Sequence, residues 1–285
     1  MIKNTVVQAV ALASVMALPA FADGHASVQG YALTEDGKSL LVMADVMAGD
    51  PSATLSLSKA VSAIAWRPVT GELLGFANGG IYTIDTTSGI MSDLGATFLE
   101  DTDIAADAAI AFDFNNKIDA VRAVSSNGDN LVYFPKGFGD NDERAGSVRR
   151  FTGLAYEDGD SMAGKTPAVF ANAYTNAIPG AKASDTFQYA LDAETDALIS
   201  LANNAGTLAT IAPITVDGKA VDLMPTGGFD IVSSAEGENQ AYAVLQMAGA
   251  DKAGLYEIDL ESGAATKLTA LPAGNIAGFA AHIGG

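Results

Sequence analysis

Residues 79–95 read GGIYTIDTTSGIMSDLG, and residues 253–269 read AGLYEIDLESGAATKLT. In each, a strand with alternating apolar side chains runs into a polar turn that ends in Gly, and a second strand turns back. That is the pattern of an antiparallel hairpin. A degraded third copy, FQYALDAETDALISL at 187–201, sets Asp192 where the others have Asp85 and Asp259. A turn Asp recurs because its carboxylate accepts nearby backbone N–H groups. Self-similarity across a chain is the mark of a repeat architecture, so the hairpins act as rulers for the fold.

A second set of segments precedes the hairpins: AIAWRP at 63–68, AIAFDF at 109–114, GLAYED at 153–158, GGFDIV at 227–232 and AGFAAH at 277–282. Each begins with small residues and carries one large apolar group. Small side chains let several strands converge on a narrow axis, as the innermost strands of propeller blades must. From Ile64 to Ile110, Leu154, Phe229 and Phe279 the steps are 46, 44, 75 and 50 residues, and a four-stranded blade takes about 40–50. The last such segment has no chain after it to complete a blade, while VQGYALTEDGKSLLVMADV near the other end supplies outer strands alone. The expected fold is therefore all-β, a five-bladed β-propeller whose N- and C-terminal strands share one blade. The 75-residue step leaves six blades as the competing count. A β-sandwich also alternates, but it does not predict inner strands at near-regular spacing.

Lys3, an apolar run from Val6 to Leu18, and the small residues around Ala20 and Ala22 form a secretory signal peptide over 1–22. The run is too short for a membrane anchor, which needs about 20 apolar residues. Residues 23–285 are then expected to be one propeller domain, monomeric, in the periplasm or outside the cell, without a membrane span. The chain of 285 residues has a formal net charge of -19, which argues against nucleic acid as a partner, because phosphate selects clustered Lys and Arg. With no cysteine, disulfides, thiolate metal sites and a cysteine nucleophile are excluded.

Five stretches together resemble the bacterial exported family called domain of unknown function 4394: IAWRPVTGELLGFANGGIYTIDTTSG at 64–89, IAFDFNNKIDAVRAVSSNGDNLVYFP at 110–135, AGKTPAVFANAYTNA at 163–177, GGFDIV at 227–232 and GLYEIDLESGAATKL at 254–268. The resemblance implies an exported, propeller-like β-domain. It brings no activity and no catalytic residue.

Signatures of chemistry are sparse. The chain has no G-x-S-x-G, no Gly-rich phosphate loop, and only His25 and His282 as histidines. Three acidic clusters lie in loops: Glu100, Asp101 and Asp103; Asp140, Asp142 and Glu143; Glu157, Asp158 and Asp160. Calcium is the cation that turns rich in Asp, Asn and Gly suit, and Asp140, Asp142, Asp158 and Asp160 are the candidate ligands, although no EF-hand spacing is present. Aligning the inner strands places Arg67, Asp113, Glu157 and His282 three residues after their aligned apolar positions, a candidate binding ring at one end of the channel. Arg67 pairing with Asp113 or Glu157 as a structural ion pair is the plainer alternative. The expected function is binding of a small molecule, a cation or an exported protein partner, without catalysis. A calcium-dependent hydrolase, lactonase or lyase is the alternative, and a surface adhesion or matrix component the third.

Overall fold

The computed structural model of the protein describes residues 27–48 and 50–284. The predicted signal segment and His25 lie outside the described residues. Five sheets form a ring. The strands of blade 1, from axis to rim, are Gly278–Ile283, Val28–Leu33, Ser39–Met43 and Ala53–Ser56. Gly278–Ile283 pairs antiparallel with Val28–Leu33 over six residues, from Val28↔Ile283 to Leu33↔Gly278. The two ends of the chain thus close the ring within one blade, as the sequence predicts.

Blade 2 runs Ala63–Arg67, Glu72–Ala77, Gly80–Ile84 and Met91–Asp93. Blade 3 runs Ile110–Asn115, Ala120–Ser125, Asn130–Tyr133 and Ser147–Arg150. Blade 4 is built from Val169–Tyr174, Gln188–Asp192, Ala197–Ala202 and Thr207–Pro213. Blade 5 is built from Leu223–Ser233, Asn239–Met247, Gly254–Ile258 and Ala264–Ala270. Apolar clusters fill the five seams between neighbouring blades; Phe229, Ile231 and Leu191 meet between blades 4 and 5, and Phe279, Val244 and Met43 between blades 5 and 1. Burial of these faces is the main drive for closing the ring.

Small residues do their expected work at the axis. A Cβ on Gly228 would lie 2.2 Å from the Phe279 backbone nitrogen, so only glycine lets the inner strands of blades 5 and 1 approach this closely.

One expected inner strand is corrected. GLAYED does not face the axis: Ala155–Tyr156 pairs in parallel with Thr207–Pro213 at the rim of blade 4. The inner strand of that blade is Val169–Tyr174. The same device recurs where the chain enters blades 3 and 5, with Thr97–Phe98 on Ser147–Arg150 and Thr215–Val216 on Ala264–Ala270. Each entry segment covers the outer edge of the blade it leads into, where open N–H and C=O groups would invite pairing with another chain. The long 75-residue step contains one blade displaced by its entry segment, and the count is five.

The turn aspartates behave as expected. Asp85 Oδ1 accepts the Ser88 N–H at 2.7 Å and the Thr87 N–H at 3.0 Å, and Asp259 Oδ1 accepts the Ser262 and Glu261 N–H groups at 2.8 and 3.1 Å. The Ser88 hydroxyl, donating to Oδ1 at 2.8 Å, and those N–H groups hold Asp85 below the usual range, as the N–H groups and the Ser262 hydroxyl at 2.8 Å hold Asp259. Asp192 is fully buried and reaches further, accepting the Ala168 N–H at 2.7 Å and the Tyr156 hydroxyl.

Candidate functional site

All five inner strands run from one end of the axis to the other in the same sense, and the two ends differ. Where the strands finish, residues 175–187, the long connection from Val169–Tyr174 to Gln188–Asp192, cross the axis as a strap. The Gly180 N–H donates to the Pro68 carbonyl of blade 2 at 2.9 Å, and the Ala183 N–H to the Asn116 carbonyl of blade 3 at 3.0 Å. The Ala177 N–H donates to Ser233 Oγ of blade 5 at 3.1 Å. Beneath Ala177 and Pro179 only about 10 Å³ of space remains, lined by Asp113, Asp230, Trp66 and His282.

The predicted ring is thereby divided. Asp113 and His282 share the small cavity under the strap. Arg67 turns to the seam between blades 2 and 3, where Nε and Nη2 donate to Asp119 Oδ1 and Oδ2 at 2.8 and 2.6 Å and Nη1 reaches Glu72 at 3.3 Å. Glu157 follows the rim segment of blade 4, its N–H donating to the Leu208 carbonyl at 3.0 Å, and it has no place at the axis. Arg67 forms an ion pair, but with Asp119 and Glu72 and with neither Asp113 nor Glu157, the partners that the plainer alternative named. Asp119→Ala is expected to cost about 2–3 kcal/mol, because it strands a guanidinium that is 17% exposed beside a single remaining carboxylate. Urea melts check this; a loss below about 0.5 kcal/mol would make the pair an ordinary surface contact.

Sequence reasoning missed Asp230. It directly follows Phe229, two residues short of the aligned position, where this repeat has the apolar Val232, and its signal was the charge inside GGFDIV. Asp230 Oδ2 accepts the Ala281 N–H of the neighbouring inner strand at 2.7 Å, and Oδ1 accepts the Ile231 N–H at 2.7 Å. Asp113 Oδ2 accepts the Tyr174 N–H of its neighbour in the same manner at 2.7 Å. The two carboxylates are clips between adjacent inner strands. Burial pushes the Asp230 carboxyl up to about 7, and burial together with the nearby Asp230 raises Asp113. His282 stacks on Trp66 with ring centroids 3.8 Å apart, Nδ1 lies 3.0 Å from the Ile283 carbonyl, and burial lowers its pKa.

The predicted calcium ligands are engaged otherwise or stand apart. Arg144 grips Asp142 through Nη2 and Nε at 2.6 and 2.9 Å, which pushes the carboxyl down to about 2. Asp160 takes the Thr210 N–H and hydroxyl at 2.7 and 2.8 Å and the Met162 N–H at 2.7 Å. Asp140 and Asp158 are exposed in their loops. Among the described residues, no group of three or more His, Asp and Glu side chains is placed to hold a metal ion.

The opposite end of the axis, where the inner strands begin, opens into a concavity of about 560 Å³. Its rim carries the exposed acids Glu35, Asp36 and Asp107, and its lining contains no Lys, Arg or His. Local bonding shapes each part of it. Asn78 exchanges two hydrogen bonds with the backbone of Ile104, at 2.7 and 3.3 Å, and so holds the loop that bears Asp107. Thr34 Oγ1 and the Lys38 N–H donate to Asp36 at 2.7 and 3.0 Å and keep its carboxyl below the usual range. Asn275 donates to Glu35 at 3.3 Å. Met224 and Pro225 give one apolar wall, and Phe170, Ile110 and Gly227 form the floor. The arrangement is a recessed, anionic, partly apolar cup, with three carboxylates at the rim and the Lys38 ammonium beside Asp36.

The family model described as Domain of unknown function (DUF4394) matches residues 44–280. No curated protein matches the sequence significantly. Among solved structures, the chain is similar to a protein of unknown function from Bacteroides caccae, at 10% identity over 90% of this chain and 98% of that one, with a TM-score of 0.40. It is also similar to an auxiliary nutrient binding protein from Bacteroides thetaiotaomicron, at 14% identity over 75% of this chain and 55% of that one, with a TM-score of 0.41. A protein from Lactobacillus plantarum aligns at 12% identity over 89% of this chain and 98% of that one, with a TM-score of 0.40.

Proposed function

The chain belongs to the family Domain of unknown function (DUF4394), and on the geometry of its axis we propose that it is an exported binding module that takes a small molecule at the open mouth of the ring. The observation that carries this reading is the contrast between the two ends: about 560 Å³ of recessed space at one, and a strapped end with about 10 Å³ at the other. Concave sites with a few polar groups on an apolar base are where small ligands bind. A rim of three carboxylates, with the single charge of Lys38 beside Asp36, stays net negative and favours cationic or neutral ligands over anions. Export rests on the signal-like residues 1–22; among the described residues no helix is long and apolar enough to cross a membrane. The proposal treats residues 23–285 as one monomeric domain that binds without turnover.

Thermal melts with panels of small organic cations, neutral polyols and carboxylates test the proposal. A ligand at a hundredfold excess over its Kd stabilises by about 2.7 kcal/mol, which raises Tm by about 5 °C or more for a domain of this size. A cation or polyol is expected to give that shift, and Asp107→Asn to reduce it for cations. Stabilisation by carboxylates alone, or by nothing in the three panels, would overturn the proposal.

A further inference from the structure

Among the described residues, the buried side-chain polar atoms without a hydrogen-bond partner are Asn116 Oδ1, both amide atoms of Asn172 and both amide atoms of Gln188. All three residues lie at the seam between blades 3 and 4. Asn172 stands apart because it also lines a cavity on the axis, midway between the mouth and the strapped end. It is 1% exposed. The other side chains around that cavity, Ile64, Phe112, Phe229 and Phe279 among them, have no polar atoms to offer. An amide left unpaired in such surroundings carries a desolvation cost of about 1–3 kcal/mol, and native structures tolerate few of them.

The cavity lies directly below the mouth. Ile110, Phe170 and Gly227 line both spaces, so the floor of the cup is the roof of the cavity. The cavity has room for about 10 Å³, the size of a single water or of one terminal heavy atom of a ligand. A hydroxyl, donor and acceptor at once, can serve either Nδ2 or Oδ1 of the amide; an ammonium can use only Oδ1, and a carboxylate only Nδ2. The rim above adds the complementary demand for positive charge.

Resting on the reading of the mouth as a ligand site, we propose that Asn172 anchors the hydroxyl end of a small hydroxylated organic cation whose charge rests among Glu35, Asp36 and Asp107. The ligand enters end first, with its slim polar terminus on the axis and its cationic end at the rim. Met224 and Pro225 cover the aliphatic part between. Asn172 is then a residue kept at the expense of stability for the sake of binding, a trade common at functional sites.

The test compares linear amino alcohols of two to six carbons with the matching alkylamines and diols, by calorimetric titration of the whole mature protein. The amino alcohol is expected to bind best. Asn172→Ala should weaken it about tenfold, the worth of one buried hydrogen bond, and leave the alkylamine unchanged. Asp107→Asn should weaken amino alcohol and alkylamine alike, by about two- to fivefold, and spare the diol. Without ligand, Asn172→Ala should melt higher than the parent, since it removes an unpaired buried group. Asn172→Ser, which keeps a hydroxyl, should recover part of the binding and serves as well if the alanine variant fails to fold. Equal affinity for amino alcohol and alkylamine, or equal losses of both on Asn172→Ala, would overturn the anchor and leave the mouth intact. Binding of none of the probes would overturn both.

Discussion

A chain that stops at Ala277 is expected not to fold. The loss of Gly278–Ile283 takes away an inner strand that pairs with Val28–Leu33 along six residues and buries Phe279, Ala280 and Ala281. It also removes the Ala281 N–H that Asp230 accepts and leaves the strands Ala63–Arg67 and Leu223–Ser233 without a neighbour between them. Burial of Phe279 alone is worth about 3–5 kcal/mol, while a whole domain is stable by about 5–15 kcal/mol. A ring that lacks one inner strand exposes two apolar seams at once, so the loss exceeds the total. Circular dichroism and gel filtration check this: the truncated chain should show no cooperative melt and should aggregate. A cooperative melt within about 5 °C of the parent would show that the shared blade is dispensable.

Stability should fall as pH rises from about 4 to about 7. Asp230 has its carboxyl pushed up to about 7 in the folded protein, from 3.8 in the unfolded chain. A folded-state pKa above the unfolded one favours the native state while the acid is protonated, and that advantage is lost as pH climbs through the folded value. Asp113 is raised by the same burial and contributes with the same sign. At about 1.4 kcal/mol per pH unit for each group, the Asp230 window alone amounts to about 4 kcal/mol. His282 acts in the opposite sense: its folded pKa is lowered from 6.5, so its contribution is full above that value and declines as pH falls below it. Urea melts between pH 4 and 8 should show the decline in the parent and a much flatter profile in Asp230→Asn, with a fixed loss of about 1–2 kcal/mol because one of two backbone N–H groups loses its acceptor. Equal slopes in the two proteins would mean that Asp230 is ionised throughout.

Much of this architecture is readable in the letters. The hairpins at 79–95 and 253–269, four of the five inner strands, and the blade shared by the chain ends follow from period-two alternation and from small residues at the axis. The segment around Leu154 misleads for a physical reason: an inner strand and a rim-capping entry strand are both short, small at the start and aromatic near the end. Local pattern does not say which edge of a blade a strand joins. Only VFANAYT, with Val169–Tyr174 buried along its whole length, separates the two, and the overlong step to Phe229 was its sign. The candidate ring was half legible. Asp113 and His282 do share a cavity with each other, but where Arg67 turns depends on Asp119, a residue 52 positions away in a turn of the next blade. The mouth was not legible at all, because it is assembled from the loops that precede the inner strands in different blades.

The strap over the far end makes the axis a blind alley. A ligand taken at the mouth, as proposed, would have to leave by the door it came through, and nothing could be threaded from face to face.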